Sequence, residues 1–76
     1  MEKVERLIGT LFYNRHNILY VRIWHPNFDQ TFEYPASSIE GLEKQLPKDL
    51  RECNIDGMPV KLLCKVTERN VQVISG

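Results

Sequence analysis

Neither sign of charge prevails in this sequence. Ten Lys and Arg stand against ten Asp and Glu in 76 residues. Residues 1–40 carry four basic and five acidic side chains, and residues 41–76 carry six and five. Tight non-specific binding to duplex nucleic acid draws on clustered cations that neutralise phosphates, and no such cluster is visible here. Cysteine is scarce: only Cys53 and Cys64 occur. Secreted domains of this size usually rely on two to four disulfides, so the expectation is two reduced thiols and a cytoplasmic protein. Glycine is scarce too. Gly9, Gly41, Gly57 and Gly76 are scattered, which excludes a phosphate-cradling loop or a dinucleotide fingerprint. No Gly-x-Ser-x-Gly elbow is present. The soft ligands His16, His25, Cys53 and Cys64 show no Cys-x-x-Cys or His-x(3–5)-His spacing. The expectation is therefore no enzyme, no cofactor and no metal. The N-terminus, Met-Glu-Lys-Val-Glu-Arg, has no apolar signal core, and no apolar run approaches the ~20 residues of a membrane span.

What is present is a succession of short alternating segments. Residues 3–13 read as a first strand interrupted by Gly9, and a glycine inside a strand often marks a bend. Residues 14–17 read as a hairpin turn, with Asn17 suited to a left-handed conformation. Residues 18–25 form a second strand, ended by Pro26-Asn27. Residues 30–35 form a third, with Phe32 and Tyr34 on one face. Asp56-Gly57 signals a turn. A fourth strand, 58–67, puts Val60, Leu62, Cys64 and Val66 on one side. A hairpin at 68–70 leads to a fifth strand, 71–75.

Between strands three and four the pattern reads as a helix. Ser37 is a candidate N-cap and Glu40 completes a capping box. Ile39, Leu42 and Leu46 form one apolar stripe, and Pro47 ends the segment. The expected fold is thus mostly β with one helix, in the order β-β-β-α-β-β, in a single small domain. This layout resembles a five-stranded OB-like barrel with the helix plugging one end. An SH3-like barrel with an inserted helix, or an open α+β sheet, has nearly the same order of elements.

The second strand carries the strongest functional signal. Leu19, Val21 and Ile23 alternate with Tyr20, Arg22 and Trp24, so one face is aliphatic and the other is an aromatic–cation–aromatic stripe. Across an OB-like barrel, single strands of nucleic acid stack on such aromatics while cations meet the phosphates. Tyr20, Trp24 and a strand-three aromatic, Phe32 or Tyr34, would stack. Arg15, His16, Arg22, Lys61 and Lys65 would surround them. The first expectation is a non-enzymatic module binding single-stranded nucleic acid, RNA before DNA. The alternative is a protein-interaction or assembly module, including a homodimer, using the same face or an open sheet edge. An aromatic cage of Tyr20, Trp24, Phe28 and Tyr34 around a cation is a variant of the first idea. All of these require the Trp24 indole to face solvent.

Overall fold

The computed structural model describes residues 2–76 as a curled half-barrel. Its five strands are β1 (Lys3–Tyr13), β2 (Leu19–Ile23), β3 (Phe32–Pro35), β4 (Pro59–Val66) and β5 (Val71–Ser75). They form one antiparallel sheet in the order β3-β2-β1-β4-β5. β1 is the spine. Its residues 3–10 pair with β4, and its residues 9–13 pair with β2. Only Gly9 and Thr10 are paired on both sides.

Gly9 explains how one strand serves two partners. A Cβ placed there would lie 2.6 Å from Val21 Cγ1 and 2.7 Å from Leu62 Cδ1. The side chains of β2 and β4 thus close over the hydrogen that a larger residue would replace, and the sheet curls at that point. Leu11, Val21, Ile23, Val60, Leu62, Cys64, Val66 and Val71 line the inside. Alternation is clean along β4, where Val60, Leu62, Cys64 and Val66 are all buried. Strand alternation therefore survives intact from sequence to fold.

The expected helix does not form. The connection between β3 and β4 contains two 3-10 turns, Ala36–Ser38 and Leu42–Gln45. Three residues prevent anything longer. Pro35 precedes the first turn, Gly41 adopts a left-handed φ of 84° between the turns, and Pro47 follows the second. Ser37 makes no capping bond, and Ser38 Oγ donates back to the Pro35 carbonyl. The apolar stripe is still used: Ile39 and Leu42 are buried and Leu46 packs against the core. These side chains cover the inside of the half-barrel without a regular helix.

The sheet is not closed by a ladder, since β3 and β5 are its two edges. A side chain crosses the seam instead. Tyr34 of β3 donates its hydroxyl to the Val71 carbonyl of β5. A second side-chain substitute stands where β5 stops pairing with β4. The Gln45 amide donates to the Lys61 carbonyl at 2.7 Å and accepts from the Lys61 N–H at 2.8 Å. No helix among the described residues is long and apolar enough to cross a membrane.

Gly9→Ala is the sharpest test of the bend. Val21 is stiff at χ1 and fully buried, so the added methyl overpacks the core. A loss of about 1–3 kcal/mol is expected from urea unfolding. An unchanged midpoint would show that the sheet curls for another reason.

Candidate functional site

The Trp24 indole faces solvent, with 63% of the residue exposed. Val21 and Ile23 are fully buried on the opposite face of β2. The rest of the stripe is already occupied. Tyr20 pairs with Phe12 across the β1–β2 ladder, their ring centroids 6.0 Å apart. The Arg22 guanidinium lies 4.2 Å above the centre of the Phe12 ring. Its Nε donates to Glu33 Oε2 at 3.0 Å, from the residue directly opposite on β3. This half-exposed ion pair contributes about 0.2–1 kcal/mol, and the cation–π contact about 0.5–1 kcal/mol. Phe12, Tyr20, Arg22 and Glu33 thus form a cross-strand cluster that satisfies itself.

The strand-three aromatics lie on the other face. Phe32 pairs with Ile23 and Tyr34 with Val21, so both point inside. Phe32 stacks edge-on against Phe28 with centroids 5.0 Å apart, and Tyr34 latches the seam. Neither shares a surface with Trp24, and no cage of Tyr20, Trp24, Phe28 and Tyr34 is assembled. Arg15 and His16 sit exposed in the β1–β2 hairpin. That turn is built by Asn14 Oδ1, which accepts the His16 and Ile18 N–H groups at 2.9 and 3.0 Å, and by Asn17 with φ of 62°. It lies at the far end of β2 from Trp24, about 17 Å away for five residues of strand. Lys65 is paired with Glu2 at 3.2 Å. Lys61 is exposed and its ammonium has no carboxylate partner among the described residues.

A different set gathers around Trp24. On the outer face of β1 stand Val4, Arg6 and Ile8, with Val4 60% and Ile8 58% exposed. Their partners on β4 are Lys65, Leu63 and Lys61 in that order. The two rows form a checkerboard of apolar and cationic side chains. Trp24 follows Ile23, the partner of Gly9, so it leaves the ladder beside Ile8. Arg6, like Lys61, has no carboxylate partner among the described residues. A shallow cleft of about 870 Å³ runs beside this checkerboard, between Arg6, Ile8, Gln45, Lys61 and Leu63. The sequence held the signal for it. Val4, Arg6 and Ile8 alternate with the inward positions Leu7, Gly9 and Leu11, and two exposed aliphatics on an outer strand face are a surface feature to be noted.

The inner mouth of the half-barrel holds a polar corner. His25 is only 5% exposed. Its Nδ1 accepts the Asn27 N–H at 3.2 Å, so the ring proton lies on Nε2, which donates to Glu5 Oε2 at 3.1 Å. Cys64 pairs with Glu5 across the β1–β4 ladder. Burial, with the Glu5 carboxylate adding to it, pushes the Cys64 thiol up to about 11. A thiol held this way is neutral and unreactive near pH 7. Among the described residues no three His, Cys, Asp or Glu side chains are grouped to hold a metal.

Comparison with family models, curated proteins and solved structures finds no match for this chain. The site is therefore read from its own geometry.

Two outcomes follow for the thiols. In folded protein at pH 8, iodoacetamide modifies exposed Cys53 and spares Cys64; peptide mass spectrometry distinguishes them. Equal labelling of both would mean that the interior opens readily. The Cys64 thiol lies above its ordinary 9.0 in the folded state, so the unfolded chain releases this proton first. Its contribution to stability falls as pH rises from about 9 to about 11, and urea midpoints in Cys64→Ala decline less steeply over that window.

Proposed function

We propose that this chain is a non-enzymatic protein-interaction module that receives a polypeptide on the outer face of β1 and β4, beside Trp24. One observation carries this reading: among the described residues Trp24, Val4 and Ile8 are the most exposed large apolar side chains, Val4 and Ile8 share the outer face of β1, and Trp24 stands beside Ile8. Interface centres favour aromatic side chains and Arg, with apolar neighbours and few other charges. Trp and Arg also dominate binding energy where they occur. Arg6 and Lys61 frame the apolar patch with cations that have no carboxylate partner among the described residues, which suits a partner with some acidic character. The fold behind it is in this view an OB-like meander whose seam between β3 and β5 has stayed open.

Single-stranded nucleic acid is the competing ligand for the same surface. It lacks a second stacking platform there. Tyr20 is engaged by Phe12, and Phe32 and Tyr34 face inward. Stacking contributes about 1–3 kcal/mol per base, so one indole alone gives little affinity. Arg22 and Lys65 are also committed to Glu33 and Glu2.

A photo-crosslinking residue in place of Ile8 tests the reading in native cells. The expected adduct is destroyed by protease and resists nuclease. Trp24→Ala should lower its yield at least tenfold, in line with a central aromatic worth about 2 kcal/mol or more. The same substitution should move the unfolding free energy by less than about 0.5 kcal/mol, because the indole is exposed. A nuclease-sensitive adduct would replace a protein partner with a nucleic acid.

A further inference from the structure

An open sheet has edges, and the devices that guard each of them can be compared. β3 is four residues long and ends in Pro35, which has no N–H to offer. On β5, the Val71 carbonyl is taken by Tyr34, and beyond the strand the Gly76 N–H turns to the Glu40 carbonyl. Where β4 extends past β5, Gln45 occupies the N–H and C=O of Lys61. The fourth edge belongs to β1. Residues 3–8 pair with β4 on one side, but β2 stops at Gly9 and leaves their other side without a strand.

Backbone directions on that side follow from two bonds. Leu11 N–H donates to Met58 O at 2.9 Å, so odd residues of β1 turn toward β4. Asn14 N–H donates to Ile18 O at 2.9 Å, so even residues turn toward β2. Across the Gly9–Ile23 rung the Ile8 carbonyl faces the Trp24 N–H, so Val4 and Arg6 present two N–H and two C=O groups to the open side. Among the described residues no backbone or side-chain group bonds to them there. The outer face of this edge carries the exposed Val4 and Ile8, with Trp24 at the end where β2 departs.

We infer that residues 4–8 of β1 accept an extended peptide as a sixth strand, and that this peptide carries apolar, acidic and apolar residues at alternate positions. The inference rests on the protein-interaction reading and specifies its mode. Main-chain bonds supply affinity in such additions, and alternate side chains supply selectivity. Directly opposite Val4 and Arg6 the guest places an apolar and an acidic residue, the acidic one meeting the Arg6 guanidinium, and its next apolar residue lies against Ile8 and Trp24. A second copy of this chain fits less well. An antiparallel pairing of β1 with itself about Arg6 sets Arg6 against Arg6, and one about Glu5 sets Glu5 against Glu5; like charges directly opposite are destabilising. A dyad at Val4 opposes Lys3 to Glu5 and Glu2 to Arg6, but it competes with the existing Glu2–Lys65 and Glu5–His25 pairs. A dyad at Leu7 runs the copies into each other's β2, which already holds Gly9 and Thr10.

The probe is a capped nine-residue peptide with valine, glutamate and isoleucine at alternate positions and threonines between them. It is titrated into the full chain labelled with ¹⁵N. Saturable shifts are expected at the Val4, Arg6 and Ile8 amides and at the Trp24 indole, with exchange of the Val4 and Arg6 amides slowed at least tenfold. N-methylation of the peptide amides that face β1 should weaken binding at least tenfold, while methylation of the intervening amides should leave it within twofold. Arg6→Glu should transfer preference to a peptide with lysine at the centre. Shifts confined to β3 or β5, no saturation at millimolar peptide, or shifts of the same three amides on dilution of the protein alone would overturn the proposal. The last of these would make a second copy the occupant. Equal binding of both methylated peptides, with Trp24 still shifting, would overturn strand addition and leave the outer face as a docking surface.

Discussion

The bend of β1 at Gly9 is the constraint on which the other features depend. One eleven-residue strand must serve β4 along its first part and β2 along its last. The change of partner occurs where Val21 and Leu62 converge over the missing side chain. If β2 ran the full length of β1, the sheet would flatten, and the inner faces of β2 and β4 would separate. Because it does not, the interior closes around Leu11, Ile23, Val60 and Leu62, and the start of β1 is left with one bare side. Core packing and the exposed edge are therefore two results of one geometric choice. The glycine that allows the first also sets where the second begins.

Most of the strand pattern was legible in the sequence, because period-two alternation reports which face is dry. β1 and β5 have the expected bounds, Asn17 and Gly57 take the left-handed conformations that their turns need, and Trp24 faces outward. The segment from Ser37 to Leu46 was misleading for a physical reason. A capping box and an apolar stripe favour a helix, but Gly41 and the flanking prolines leave too few residues to repay nucleation. The side chains still reach the core, since two short turns can present Ile39 and Leu42 as well as a helix could. The placement of Phe32 and Tyr34 was illegible for another reason. Their face depends on the register between β2 and β3, which the path of residues 24–31 decides. One residue more or less in that path would have put both rings beside Tyr20. Seam closure by Tyr34 and edge closure by Gln45 are tertiary meetings that no local pattern announces.

Charge neutrality conceals a local asymmetry in the same way. In the sequence the cations add to a single total, but the fold sorts them. Arg22 and Lys65 are held by carboxylates, while Arg6 and Lys61 are not. What the sequence presents as an aromatic–cation stripe on β2 becomes a stabilising cluster centred on Phe12. The exposed apolar side chains and the cations without carboxylate partners among the described residues lie one strand over, on β1 and β4. Trp24 belongs to both descriptions because it lies just past the last rung of the β1–β2 ladder. The Glu5–His25 pair is sorted inward, where it satisfies the mouth of the half-barrel and keeps a carboxylate beside the buried Cys64.

Edge protection brings these points together. A domain this small has little stability to lose, and an unguarded strand invites unwanted pairing. Side chains are used here to block backbone groups even over very short gaps: one glutamine covers the single exposed rung at Lys61, and one tyrosine spans the seam. The gap along β1 at Val4 and Arg6 is longer and is flanked by aliphatic side chains, yet among the described residues no side chain bonds its backbone groups. Its only protection is the charge at Glu5 and Arg6. That device discourages a second copy in the registers centred on Glu5 and Arg6, where like charges meet, and does not oppose a chain with an acid in the matching place. Blocking by backbone bonds excludes every partner, whereas blocking by charge selects among them. On the proposed reading the β1 edge has the selective kind, and that difference would separate a strand left open for recognition from one that is merely unfinished.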